Sequence, residues 1–354
     1  MVKRLRAHEL LFFTMAALAL AGPAVGAISL RHVKSASLPE AMVIRDVRWA
    51  SASEVYVSEG KRGVVRIPID SPSHGTSVLS GGDRGGFPVS GMIAVGQKHL
   101  LVAAHLGVVG WIPLDSTAQK IRYKTLLTVM DIDAHGDTAA VLGADRGDLL
   151  GLARDGTIAW IGSLSKGLSQ MRPLMKGRSE PGGKDIARCG ILETGAIRFM
   201  SDGSLVVVPG AEPGIYRYSA AGRLMQTWDT EPLGIVDNCS IDDEELHLLA
   251  RDFARRNEWF ASRIILDDIL PLPSGPGLLL RRVENGVTKW DLVVLRYGKG
   301  KPERIPVPLV MPTPRAHVRG DVRGNQIVLL AFDDPLPGQN PVGPPRLVVF
   351  SFAP

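Results

Sequence analysis

An acidic residue stands at one place in four of six recurring phrases of this 354-residue chain: Asp46 in RDVRW, Asp131 in MDIDA, Asp268 in DDILP and Asp321 in GDVRG. Gly91 and Arg198 occupy the other two, and Asp237 and Asn238 are candidates to join the set. If the phrases repeat in space as they do in sequence, these carboxylates converge, and converging carboxylates repel unless a cation or an Arg lies among them. Two chemistries follow. A divalent cation such as Ca²⁺ takes Asp and Asn oxygens readily, which makes Asp46, Asp131, Asp268 and Asp321 the metal set. Alternatively Arg45, Arg198 and Arg319 neutralise the acids, and the same residues form a structural or ligand-binding floor.

Other motifs add little chemistry. The run from Asp131 through Asp133, His135 and Gly136 to Asp137 is similar to a Ca²⁺ loop but lacks its downstream Glu, and Gly136 suits a hairpin turn. None of the eight His shows metal-ligand spacing such as H-E-x-x-H, and His99, His105 and His135 read as lone polar residues near turns. No nucleophile elbow, Walker loop or dinucleotide fingerprint is present.

The elements that must position the acids form a repeat. DVRWASASEVYVSEGKRGVVRIPID and GMIAVGQKHLLVAAHLGVVGWIPLD share one plan of strand, turn, strand, Gly, strand. Six hairpins centre on residues 46–57, 91–102, 131–142, 197–208, 269–280 and 318–330, each followed by a Gly that opens a third strand: Gly63, Gly107, Gly147, Gly214, Gly286 and, more loosely, Gly343. Copies at this spacing predict an all-β, six-bladed β-propeller whose inner strands line a channel. The sixth blade lacks a fourth strand, and residues 28–34 are expected to supply it and so close the ring. A seventh blade at residues 236–265 is the alternative. There, however, Leu246, Leu249, Ala250, Phe253, Phe260 and Ile264 recur at helical spacing, with Ser240 as N-cap.

Residues 229–265 are therefore read as a helical insertion between blades four and five. A second insertion at 163–194 precedes blade four, and both are expected to cap one face of the disc. Cys189 and Cys239, the only two cysteines, lie one in each. In an exported chain they are expected to pair, closing a loop of about 50 residues worth about 4 kcal/mol in the chain-entropy model.

Export is expected from the N-terminus. Lys3, Arg4 and Arg6 precede an apolar run from Leu10 to Ala21 and small residues up to Ala27, so residues 1–27 read as a signal peptide and 28–354 as a single propeller domain, periplasmic or extracellular. About a dozen apolar residues are too few to span a bilayer. Of the net charge of +5, Lys3, Arg4 and Arg6 against Glu9 account for two, and the remaining +3 with no basic run gives no reason to expect nucleic acid.

The phrase GIYRYSAAGRLMQTW at residues 214–228 resembles the third-to-fourth strand hairpin of the six-bladed NHL and TolB-like propellers. That resemblance implies fold more than function. The architecture also resembles gluconolactonase-type propellers, which hold a divalent cation in the channel through Glu, Asn and Asp; their early Glu motif is missing, Glu40 lying too far before Trp49. The expected function is an exported binding protein that engages a small ligand or a protein partner on its capped face. A metal-dependent hydrolase or lyase centred on the channel is the alternative.

Overall fold

The computed structural model describes residues 28–39, 44–60, 63–79, 91–104, 107–114, 121–124, 127–145, 157–163, 171–176, 195–209, 214–235, 242–298, 300–334 and 340–353. Its strands form six four-stranded antiparallel sheets. The first strand, β1 (Ser29–Ser37), belongs to the last blade. Blade one is β2 (Ile44–Trp49), β3 (Glu54–Glu59), β4 (Gly63–Pro68) and β5 (Thr76–Leu79); blade two is β6 (Gly91–Val95), β7 (His99–Ala104), β8 (Val108–Pro113) and β9 (Ile121–Lys124). Blade three is β10 (Leu127–His135), β11 (Thr138–Asp145), β12 (Thr157–Ser163) and β13 (Arg172–Lys176); blade four is β14 (Ala196–Phe199), β15 (Leu205–Val208), β16 (Ile215–Tyr218) and β17 (Leu224–Trp228). Blade five is β18 (Ile265–Leu272), β19 (Gly275–Glu284), β20 (Val287–Val294) and β21 (Glu303–Met311), and blade six joins β22 (Ala316–Arg323), β23 (Gln326–Asp333) and β24 (Arg346–Ala353) to β1.

Six blades, not seven, form the ring, and the N-terminal strand closes it as expected: Ser29 pairs with Ala353 and Ser37 with Arg346. The core consists of blade-to-blade interfaces. Because strand side chains alternate, Val55 and Val57 of β3 pack toward blade six with Leu330 and Val349, while Tyr56 packs toward blade two with Ile93 and Leu100. Each of the six interfaces has such a cluster among the described residues. The turns before third strands need φ > 0, and Gly63 (φ 82°) and Gly286 (φ 75°) supply it.

Blade three departs from expectation. The third strand is β12, which begins at Thr157 and not at Gly147. The fourth strand, β13, falls inside the stretch 163–194 read as an insertion, and Met175 is core, packed with Ile161 and Leu205. Residues 177–194, with Cys189, lie outside the described residues, as do Cys239, Asp237, Asn238, Ser240, His105, Gly147 and residues 1–27.

The insertion between blades four and five is helical, but as two helices, α1 (Asp243–Arg251) and α2 (Phe253–Ala261). Asp242 caps the first through Glu245 N at 2.8 Å. Asp252 accepts from Ala254 N at 2.9 Å and Arg255 N at 3.0 Å, and this side-chain competition for backbone donors breaks the single helix that the periodicity predicts. Leu249 is fully buried against Trp259 and Phe260, which holds the pair together. Among the described residues no helix is long and apolar enough to cross a membrane.

Candidate functional site

Residues two apart on an inner strand both face the channel, so each blade offers it two successive levels. Cross-blade hydrogen bonds fix their heights. Asp46 Oδ2 accepts from Ile93 N of the next blade at 2.9 Å, Asp131 Oδ2 from Ile197 N at 2.9 Å and Asp268 Oδ2 from Gly320 N at 2.8 Å. Two positions further along, Asp133 Oδ2 accepts from Phe199 N at 2.6 Å and Asp321 Oδ2 from Trp49 N at 2.8 Å. By this register the upper tier holds Asp46, Met92, Asp131, Ala196, Asp268 and Arg319. The lower holds Arg48, Ala94, Asp133, Arg198, Leu270 and Asp321.

The four acids aligned from sequence therefore do not form one ring. Asp321 sits a tier below the other three, and Arg319 takes its place among them. The cause is a one-residue bulge in alternate blades: an extra residue, Arg45, Met130 or Asp267, immediately precedes Asp46, Asp131 or Asp268, while β22 pairs without interruption.

Each of the four carboxylates works as a staple. Its Oδ1 accepts from the N–H of the following residue, Val47, Ile132, Ile269 or Val322, at 2.8–3.0 Å, and its Oδ2 reaches the next blade. Arginines fill the spaces between. Arg48 Nη1 lies 2.6 Å from Asp46 Oδ1, and Arg198 lies 2.6 Å from Asp268 and 3.6 Å from Asp133. Arg45 instead reaches outward to Asp334 at 2.8 Å.

Burial raises the Asp131 carboxyl to about 6 against the opposing pull of Arg319 and Arg198, and it also raises Asp133 and Asp321. For Asp268 the same desolvation is outweighed by Arg198, Arg319 and Arg48, which hold the group below the usual carboxylate range. Arg319 and Arg198 stay charged, the surrounding Asp carboxylates overcoming the cost of burial.

This is the Arg–carboxylate arrangement, and it fits a cation poorly. The oxygens a metal would need are engaged by backbone N–H groups, and among the described residues no three His, Cys, Asp or Glu side chains are grouped to hold one. No nucleophile with an adjacent base appears in the two tiers.

Above the tiers opens a cavity of about 200 Å³ with a contribution from every blade, including Arg45, Met92, Met130, Gly195, Asp267 and Arg319. Arg256, Asn257 and Phe260 of α2 line it from the insertion. Below the tiers a second cavity, of about 340 Å³, is lined by Arg48, Asp133, Arg198 and Asp321 with His135 and Ser201. Of the arginines named from sequence, Arg45 and Arg319 line the upper cavity and Arg198 the lower, whereas Arg48, Asp133, Asp267, Arg281, His317 and the α2 residues were not among the candidates. The i, i+2 rule applied to Asp46-Val47-Arg48 and Asp131-Ile132-Asp133 was the available signal for two of them.

No family model matches the chain, and no curated protein matches it. Similar solved structures include a chain of the mitotic checkpoint complex (TM-score 0.47, 11% identity, covering 89% of this chain and 78% of that one). The WD40 β-propeller domain of Doa1 (0.45, 11%, 91% and 97%) and the β-propeller domain of Myceliophteria thermophila Cps50 (Swd1) (0.44, 11%, 91% and 99%) are similar too.

Proposed function

We propose that this six-bladed propeller is a binding module that takes a small ligand in the capped mouth of its channel and performs no chemistry there. The observation that carries the reading is the upper cavity, to which all six blades and α2 contribute and whose floor is stapled by the two tiers. A concave site with a few convergent polar groups is the usual form of a ligand pocket. The N-terminal segment supports export to the periplasm or beyond, and the phrase at 214–228 supports placing the chain with the NHL and TolB-like propellers.

A thermal-shift screen with small acids, amines, sugars and nucleotides tests this, run in parallel on the parent and on Asn257→Trp, which fills the cavity from α2. Stabilisation of the parent that Asn257→Trp abolishes supports the reading. Stabilisation that survives the substitution overturns it, and cation-dependent turnover of an ester or lactone panel would move the assignment to the hydrolase.

A further inference from the structure

We propose that the upper cavity binds a small organic acid through its carboxylate, with the guanidinium of Arg319 as the anchoring donor. The inference rests on the reading of that cavity as the ligand site and goes further by naming the ligand's chemistry.

The polar groups that face the cavity are mismatched in kind. Donors come from Arg45, Arg281, His317 and Arg319, with Asn257 on the α2 side. The acids that line it are already used. Asp334 is taken by Arg45 at 2.8 Å, and Asp267 receives Trp290 Nε1 at 2.7 Å and Val318 N at 3.1 Å, with His317 at 3.3 Å and Arg281 at 3.4 Å. What remains available to a ligand is a surplus of N–H.

Arg319 is the sharpest case. Its guanidinium offers five N–H donors, it is half-buried and lines the cavity, and it makes no hydrogen bond or ion pair with any described residue. Asp46, Asp131 and Asp268 surround it electrostatically. Their oxygens, however, are committed to backbone N–H groups of their own and the next blade. Arg281 Nε likewise lacks a partner with hydrogen-bond geometry. Leaving such donors unmet costs free energy, and a carboxylate meets a guanidinium with two parallel bonds.

Size and surface narrow the class. At about 200 Å³ the cavity lies below the roughly 300–1,000 Å³ of sites for drug-sized ligands, so the occupant is small. Met92, Met130, Phe260 and Phe332 add apolar wall, and Phe332 stacks on His317 with centroids 5.8 Å apart. An apolar flank beside a donor cluster suits an organic acid better than inorganic phosphate.

The test is calorimetric titration of the exported protein with benzoate, succinate, inorganic phosphate and uncharged benzamide. An organic acid is expected to bind about tenfold or more tighter than benzamide, the difference one charge-assisted contact makes. Arg319→Gln should lose a similar factor. Because Arg319→Gln also alters the tier, Asn257→Trp is measured beside it: it blocks the cavity without touching the floor and should abolish binding at unchanged melting temperature. Equal binding of benzoate and benzamide, or phosphate binding as tightly as either acid, overturns the proposal. If no acid binds while another compound from the screen is excluded by Asn257→Trp, the ligand class is wrong and the site stands. If binding ignores Asn257→Trp altogether, the site itself is wrong.

Discussion

The backbone nitrogen of Ile28 donates to Glu303 Oε1 at 2.8 Å, and the other oxygen of that carboxylate accepts from Arg296 Nη2 at 2.6 Å. Ile28 is also buried in the core shared by blades five and six. It is the residue that signal cleavage after Ala27 would expose as a new N-terminus, so maturation would convert a neutral amide donor into an ammonium ion already facing its counter-charge. If the chain is exported with cleavage after Ala27, the intact mass of the mature protein should begin at Ile28. Glu303→Gln should destabilise this form by about 1–2 kcal/mol, and by less in a form that retains the preceding residues. A mature terminus at any other position would contradict the assignment.

The two tiers predict unequal costs for like substitutions. Asp268→Asn removes the 2.6 Å counter-charge of a buried Arg198, leaving it the Ile269 carbonyl at 3.0 Å and, as its one remaining paired carboxylate, Asp133 at 3.6 Å, and should cost about 3–5 kcal/mol. Urea denaturation with Ca²⁺ and with chelator should give the same midpoint for the parent protein. A Ca²⁺-dependent midpoint that Asp268→Asn and Asp131→Asn both erase would restore the cation site.

Asp131 predicts a pH dependence of the opposite sign to ordinary acid denaturation. With its carboxyl raised from 3.8 to about 6, the folded protein keeps a proton that the unfolded chain has released between those values. The contribution of this group is complete below about pH 4 and falls as pH rises through about 6, by about 3 kcal/mol in all. Asp267 and Asp268, both lowered, act in the reverse sense at more acid pH. Subtracting the stability profile of Asp131→Asn from that of the parent should isolate a decline between pH 4 and 6.5. A flat difference would show that Asp131 is ionised throughout.

Cys189 and Cys239 lie outside the described residues, and their pairing is tested chemically. Peptide mapping, without reductant, of protein produced in an oxidising compartment should recover one linked pair. Two free thiols would refute the bond.

The blade plan was legible because the inner and second strands are short, bounded by turn residues and buried on both faces, so Gly63, Gly107, Gly214 and Gly286 mark third strands directly in the sequence. Blade three was misread because Gly147 stands where the other blades have the glycine that opens a third strand, whereas β12 begins only at Thr157. The site was legible in its residue types but not in its levels. Asp46-Val47-Arg48-Trp49 and Asp321-Val322-Arg323-Gly324 are nearly the same phrase, yet the bulge at Arg45 moves one of them a tier relative to the other. A bulge is a property of strand pairing, and no local pattern announced it. The helical insertion was visible as periodicity, while its break at Asp252 depended on a side chain bonding to backbone that the periodicity does not register.

The closure of blade six joins β1 to β24, the first and last strands among the described residues. Residues 29–37 emerge some three hundred positions before their partner in β24 exists, so during synthesis they have nothing to pair with and the ring completes only once β24 has been made. That late step can be separated from the rest. A propeller expressed without β1 would present an open groove along β24, and a free peptide of residues 29–37 should dock there as a donated strand. The bulge at Val33, where the pairing slips between His32 and Lys34, would serve as the notch that sets the peptide's register.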